Sequence, residues 1–163
     1  MSRSIPKVVQ IRRLQGEDAE AVKKLITGIV DGEFREEKSA LSLGDLENLE
    51  ASYGNFGEAF FVAEEGRKII GTVAVKREDN RIALLRRIFV APEYRMRQIG
   101  LRLLDRAIEF CKEVGYRELI FKTTSRMSAA IELVKKRGFQ SRAKVPLGQV
   151  ELLKFSLSLE GKR

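Results

Sequence analysis

IALLRRIFVAPEYRMRQIG, residues 82–100, is the stretch on which the fold turns. Ile82 to Val90 has the apolar and β-branched content of a strand. Ala91-Pro92 ends it, because proline has no N–H to give a ladder. A polar loop, Glu93 to Gln98, then runs straight into a segment with helical spacing. A loop of unpaired N–H groups at a helix N-terminus is a ready anion site, since free amides and the helix dipole both favour negative charge. Arg95 and Arg97 add full positive charges there. From Arg81 to Arg106 there are seven arginines against only Glu93 and Asp105.

Upstream, Ala59 to Glu64 and Lys68 to Lys76 read as two more strands. Glu65-Gly66 and Glu78-Asp79-Asn80 supply turns, giving an antiparallel meander that ends in Ile82 to Val90. Downstream, Ile99 to Val114 carries Leu103, Leu104, Ala107, Ile108 and Cys111 on one stripe and reads as a long helix ended by Gly115. Glu118 to Thr123 reads as a strand, Met127 to Arg137 as a helix stopped by Gly138, and Glu151 to Leu157 as a last strand. Toward the N-terminus, Val8, Val9 and Ile11 suggest a short strand. Ala19, Val22, Leu25, Ile26 and Ile29 mark a helix between Gly16 and Gly32. Asp31 to Ser42 is acidic and irregular, and Leu43 to Tyr53 reads as a short helix. The expected order is β-α-α-β-β-β-α-β-α-β, helices and strands mixed around one sheet.

The 163 residues suit one domain, and 44% apolar with 33% charged residues is a globular mixture. No apolar run reaches the roughly 18 to 20 residues that cross a bilayer. The basic start, MSRSIPKVVQIRR, lacks the apolar core of a secretory signal. With a single cysteine, Cys111, no internal disulfide forms, and the expected setting is the cytoplasm. The chain has no histidine, which removes imidazole acid–base chemistry and, with one cysteine, a zinc site. The formal charge of +8 suits an anionic ligand such as a phosphate-rich cofactor. A nucleic-acid role is weakly supported, because only Phe89 and Tyr94 interleave the arginines.

Val-Ala-Pro-Glu-Tyr-Arg at 90–95, followed by Ile99-Gly100 and Leu103-Leu104, resembles the acetyl-CoA-binding motif of the GCN5-related N-acetyltransferases (GNATs). Thr123 to Phe139, TTSRMSAAIELVKKRGF, resembles the family's later motif, with its alanine-bearing helix and closing Gly-Phe. The resemblance implies an α/β (α+β mixed) fold: a central mixed, mostly antiparallel sheet flanked by helices, with a splayed parallel strand pair. It implies one N-acetyltransferase domain over residues 1–163, with acetyl-CoA as acetyl donor and no metal. By the same resemblance the pantetheine arm lies along the backbone of Ile88, Phe89 and Val90, and Phe89 or Val90 donates an N–H to the oxyanion. The pyrophosphate sits on the amides of Arg95, Met96, Arg97, Gln98, Ile99, Gly100 and Leu101. The strand matching Ile82 to Val90 is expected in the centre of the sheet, parallel to Glu118 to Thr123, with the long helix as crossover.

Four positions depart from the family pattern. Gln98 stands where the phosphate loop has its first glycine, and Met96 where glycine is frequent. If position 98 takes positive φ, a side chain there costs about 1 kcal/mol or more; if it is ordinary helical backbone the cost is small. Val134 replaces the tyrosine usually assigned as acid, and Leu84 a frequent glutamate. Glu36, Glu37, Asp45, Glu47 and Glu78 are candidate bases or substrate ligands. The expected partner is a small-molecule or protein amine acceptor, with no membrane or nucleic acid; a homodimer is left open. A catalytically degenerate domain that binds or regulates is the alternative reading.

Overall fold

The computed structural model describes residues 8–160. Residues 1–7, most of the basic start read above as no secretory signal, and residues 161–163 lie outside the described part.

Among the described residues, seven strands form one sheet: β1 (Val9–Arg13), β2 (Ala59–Glu65), β3 (Lys68–Arg77), β4 (Ile82–Val90), β5 (Glu118–Thr124), β6 (Gln140–Leu147) and β7 (Val150–Ser158). Their spatial order is β1-β2-β3-β4-β5-β7-β6, so β4 is the central strand as expected. Every neighbouring pair is antiparallel except β4 with β5. Parallel neighbours need a crossover, and the long helix supplies it. The helices are α1 (Ala19–Glu33), α2 (Lys38–Leu41), α3 (Leu49–Ser52), α4 (Ile99–Val114) and α5 (Ser128–Lys136).

Both faces of the sheet are covered. Leu103, Leu104, Ala107 and Cys111 of α4 pack with Phe61, Val73, Val75, Leu85 and Leu119 in one core. Val22, Ile26, Ile29 and Val30 of α1 pack with Phe60, Val62, Ala74 and Phe89 in the other. A strand covered on both faces has no reason to alternate, and β3 is accordingly buried without interruption from Ile69 to Val75. Cys111 is fully buried, and burial pushes its thiol up to about 12. It is a small core residue rather than a reactive one.

Four local expectations are corrected. Two strands, not one, close the chain: β6 precedes β7 and pairs with it. All eight residues of β6 are exposed, so no apolar face was written into the sequence, and Pro146 sits where an edge strand tolerates it. Gly32 does not end α1, which continues to Glu33. The stretch from Asp31 to Ser42 is more ordered than its composition suggests, with a 3₁₀ turn at Arg35–Glu37 and α2 following. Leu43 to Tyr53 is not a single helix: a 3₁₀ turn at Leu43–Glu47 precedes α3, whose N-cap Asn48 side chain accepts from the Ala51 N–H.

Candidate functional site

β4 and β5 pair only from Ile82 with Glu118 to Leu85 with Phe121. Beyond that point they separate, and a pocket of about 220 Å³ opens between them, walled by Arg86 to Phe89 on one side and Ile120 to Thr123 on the other. The cause lies on the opposite edge of β4. Against β3, Thr72 faces Phe89 while Ala74 faces Arg86, so Arg87 and Ile88 share the single partner position of Val73. An extra residue bends its strand and strengthens the twist. Arg87 takes up the excess with φ 54°.

The bulge also aims backbone groups. The Thr72 hydroxyl donates to the Arg87 carbonyl at 2.6 Å. In a planar trans peptide the C=O and the following N–H point in opposite directions, so the Ile88 N–H is directed at the gap. The Ala91 N–H donates to the Ile70 carbonyl, which fixes the alternation: Phe89 faces β3, and the N–H of Val90 faces the gap. The Val90 carbonyl accepts from Arg95 Nε at 3.1 Å.

Arg87 is held by four hydrogen bonds. Nε and Nη2 grip Asp45 at 2.8 Å each, and Nη1 and Nη2 donate to the Leu41 and Ser42 carbonyls at 3.0 Å. The Tyr53 hydroxyl also donates to Asp45. The Arg87 and Asp45 side chains are 5% and 8% exposed, so the pair is a buried one. Burial by itself would raise the Asp45 carboxyl; the hydrogen bonds from Arg87 and Tyr53 outweigh it and hold the carboxyl below its usual range. Burial first, and Asp45 second, push the Tyr53 phenol up.

The loop after β4 answers the question posed by its missing glycine. Gln98 has φ 61° and Met96 has φ 68°. Both keep the left-handed backbone that glycine adopts freely, at a cost of about 1–2 kcal/mol each. The Gln98 carbonyl accepts from the Arg102 N–H, so the amides of Ile99, Gly100 and Leu101 precede the first hydrogen bond of α4 and have no helical partner. Gly100 has a second reason to be small: a Cβ there would meet Leu133 Cδ1 of α5 at 2.7 Å. Arg95 is committed elsewhere, its guanidinium gripping Glu33 at 2.7 Å twice. Arg97 is freer, half-exposed beside Glu65 at 3.4 Å and stacked over the Tyr94 ring.

Of the candidate carboxylates, Asp45 is bound into the Arg87 network. Glu47 pairs with Lys23 at the surface, and Glu78 is exposed in the β3–β4 turn. Glu36 and Glu37 line a second recess, closed on its far side by Thr124, Leu147, Gln149 and Val150. Glu36 is exposed, while Glu37 is 3% exposed. Val134 is fully buried in the α4–α5 core, away from any role as an acid. Leu84 lines the gap. Met127, buried at 6%, packs into the α1 core and borders the same gap.

A profile of the acetyltransferase (GNAT) family matches residues 25–139. A probable N-acetyltransferase, camello, of Xenopus tropicalis is 34% identical over 100 residues, which are 59% of this chain and 45% of that protein. An uncharacterized N-acetyltransferase of Methanocaldococcus jannaschii is 34% identical over 91 residues, 52% of this chain and 40% of the relative. The matched stretches thus span less than half the length of these two relatives. Among solved structures, an acetyltransferase of the GNAT family from Staphylococcus aureus superposes with a TM-score of 0.80 at 27% identity, covering 94% of this chain and all 100% of the other. The fold is also that of yncA from Salmonella typhimurium, solved with its cofactor acetyl-CoA: TM-score 0.77, 19% identity, 94% of this chain and 95% of that one.

Two predictions follow from this geometry. Asp45→Asn is expected to cost about 3 kcal/mol in urea unfolding at neutral pH, because it leaves a buried guanidinium without its counter-charge. The Asp45 carboxyl is depressed in the folded state, so its contribution is complete above the unfolded value of about 3.9 and disappears as pH falls through the folded one. The gap between the two proteins should therefore close below about pH 4. Gln98→Gly is expected to raise stability by up to about 1 kcal/mol, against the usual cost of adding glycine, since φ 61° is already glycine's territory. Thermal melts check it.

Proposed function

The chain belongs to the acetyltransferase (GNAT) family, and we propose that it moves the acetyl group of acetyl-CoA to a primary amine by direct attack in a ternary complex. The observation that carries this reading is the parallel β4–β5 pair that stops pairing after Leu85. It leaves a slot edged by backbone donors, open at the end where the basic loop and the α4 N-terminus lie.

The fit is one of backbone. A pantetheine-like arm with two amides would add to the free edge of β4 as a short strand does, against Ile88 and Val90. Pyrophosphate would take the amides of Arg95 to Leu101, with Arg97 as the available cation. Acetyl-CoA supplies an activated thioester. The residues of this chain bind it, orient its carbonyl, and offer the Val90 N–H where negative charge develops. The attacking nitrogen forms the new C–N bond as the C–S bond breaks and the thiolate departs. A thiol of pKa about 8.5 has a tolerable leaving thiolate, so no strong acid is required at Val134. The nitrogen sheds its surplus protons to a carboxylate or solvent and to the thiolate. We take residues 1–163 as one such domain.

Calorimetry with acetyl-CoA and a thiol-release assay with simple amines test this. Binding and amine-dependent thiol release are expected. Arg97→Ala should weaken acetyl-CoA by about three- to tenfold and leave a phosphate-free pantetheine thioester unaffected, because one charge-assisted contact to phosphate is lost. Binding without thiol release for any amine would favour the binding-domain alternative, and no binding at all would remove both.

A further inference from the structure

The α1 layer covers only part of its side of the sheet. Among the described residues its core takes Phe60 and Val62 of β2, Ile69 and Ala74 of β3 and Phe89 of β4, and no residue of β5, β6 or β7. Past β4 the same face carries charge. Leu85 and Phe121 face the α4 core, so Arg86 and Lys122, the next residue of each strand, face the other way. They stand on either side of the point where β4 and β5 part, and both line the gap. Lys154 of β7 is directly opposite Lys122. Arg142, in the bulge of β6, donates from Nε to the Ser156 hydroxyl at 2.9 Å, and Ser156 is two residues from Lys154 on the same face. Four cations thus run in a row across β4, β5, β7 and β6.

Nothing in the fold neutralises this row. Every aspartate and glutamate of the sequence lies within the described residues, and none forms an ion pair with these four side chains. The nearby carboxylates are taken: Glu58 by Lys76, Asp45 by Arg87, Glu36 and Glu37 by Arg126. Arg86 acts on Asp45 only from a distance. Glu118, on the same face of β5, lies four residues from Lys122, about 13 Å along the strand. Like charges directly opposite each other destabilise a strand pair, so Lys122 against Lys154 is a cost the sheet bears. Lys122 and Arg142 are exposed, and Arg86 and Lys154 partly so.

We propose that this face docks an acidic stretch of polypeptide, which carries the acceptor amine beside its carboxylates. This rests on the acetyltransferase reading above and names its acceptor class. β5 and β6 are two strand spacings apart, about 10 Å, or about three residues of extended chain. A peptide whose amine enters the gap between Arg86 and Lys122 brings its next few side chains over Lys154 and Arg142. Complementary charge then orients it. The one carboxylate of a free amino acid cannot span the row. A nucleic acid fits less well: the rings of β5 and β7, Phe121 and Phe155, face the α4 core, so these strands present no aromatic side chain for a base to stack on.

Fluorescence anisotropy on the full chain tests the docking with three dye-labelled probes. They are the peptide Ala-Asp-Glu-Asp-Glu-Gly with a free N-terminus, its neutral match Ala-Asn-Gln-Asn-Gln-Gly, and an oligothymidylate of the same charge as the acidic peptide. Two double variants are compared: Arg142→Gln with Lys154→Gln, and, for the same change of net charge, Lys135→Gln with Lys136→Gln on the exposed side of α5. The acidic peptide should bind about tenfold more tightly than its neutral match at low salt. The row variant should lose about fivefold or more of that binding and the α5 variant little, with acetyl-CoA binding alike in all three proteins by calorimetry. Removing Lys154 relieves Lys122, so the row variant should keep its melting temperature. In thiol-release assays the acidic peptide should be the better acceptor through a lower KM at similar kcat. Equal binding of the two peptides, equal losses in the two variants, tighter binding of the oligothymidylate, or equal KM for the two peptides would each overturn the proposal. Those outcomes leave the acetyltransferase reading standing. Failure of the wild-type chain to bind acetyl-CoA strikes that reading instead.

Discussion

A single residue too many in β4 shapes the site. Arg87 and Ile88 occupy the space opposite Val73, and the strand bends there. The bend separates β4 from β5 after Leu85, turns the Ile88 and Val90 amides to the opening, and leaves a pocket in an otherwise continuous sheet. A non-glycine residue at φ 54° is strained by about 1–2 kcal/mol. The surroundings over-determine it: Asp45 takes two of its donors, the Leu41 and Ser42 carbonyls take more, and Thr72 binds its carbonyl. The irregular segment between α1 and β2 thereby acquires a purpose. It supplies the groups that hold Arg87 and, at Glu37, a wall of the recess beyond the gap.

The two halves of the site are built on different principles. The half that faces the cofactor on the proposed reading is made of backbone: strand-edge amides, a loop with left-handed residues, and the free first turn of α4. Side chains can change there while the amides persist, which is how Gln98 and Met96 occupy positions that call for glycine. The neighbouring recess is made of side chains from α2's neighbourhood, the end of β5 and the β6–β7 turn. Its chemistry is therefore particular to this chain.

Legibility followed that division. The order from β2 to α5 could be read because buried faces impose periodicity, and because proline at 92 and glycines at 115 and 138 punctuate it. The parallel β4–β5 pair and its splay were expected from the resemblance carried by residues 82–139, and the structure has both. The strand β6 could not be read, since a strand exposed along its whole length selects for no apolar pattern. The backbone at Gln98 could not be read either; a glutamine in the sequence is silent about φ, and the left-handed value appears only in three dimensions. Glu37 stood among five candidate carboxylates with nothing to separate it. What distinguishes it is burial, at 3% exposed beside Arg126, a tertiary property of the packed fold.

Hydrogen exchange at single-amide resolution, with and without acetyl-CoA, bears most directly on the central claim that the bulged edge of β4 and the start of α4 form the cofactor site. The account predicts slowed exchange at Ile88 and Val90 and at Ile99, Gly100 and Leu101 when acetyl-CoA is added, with Phe89, already turned toward β3, changing least. Unchanged exchange at these amides on addition of saturating acetyl-CoA, or protection confined to another face of the sheet, would contradict it.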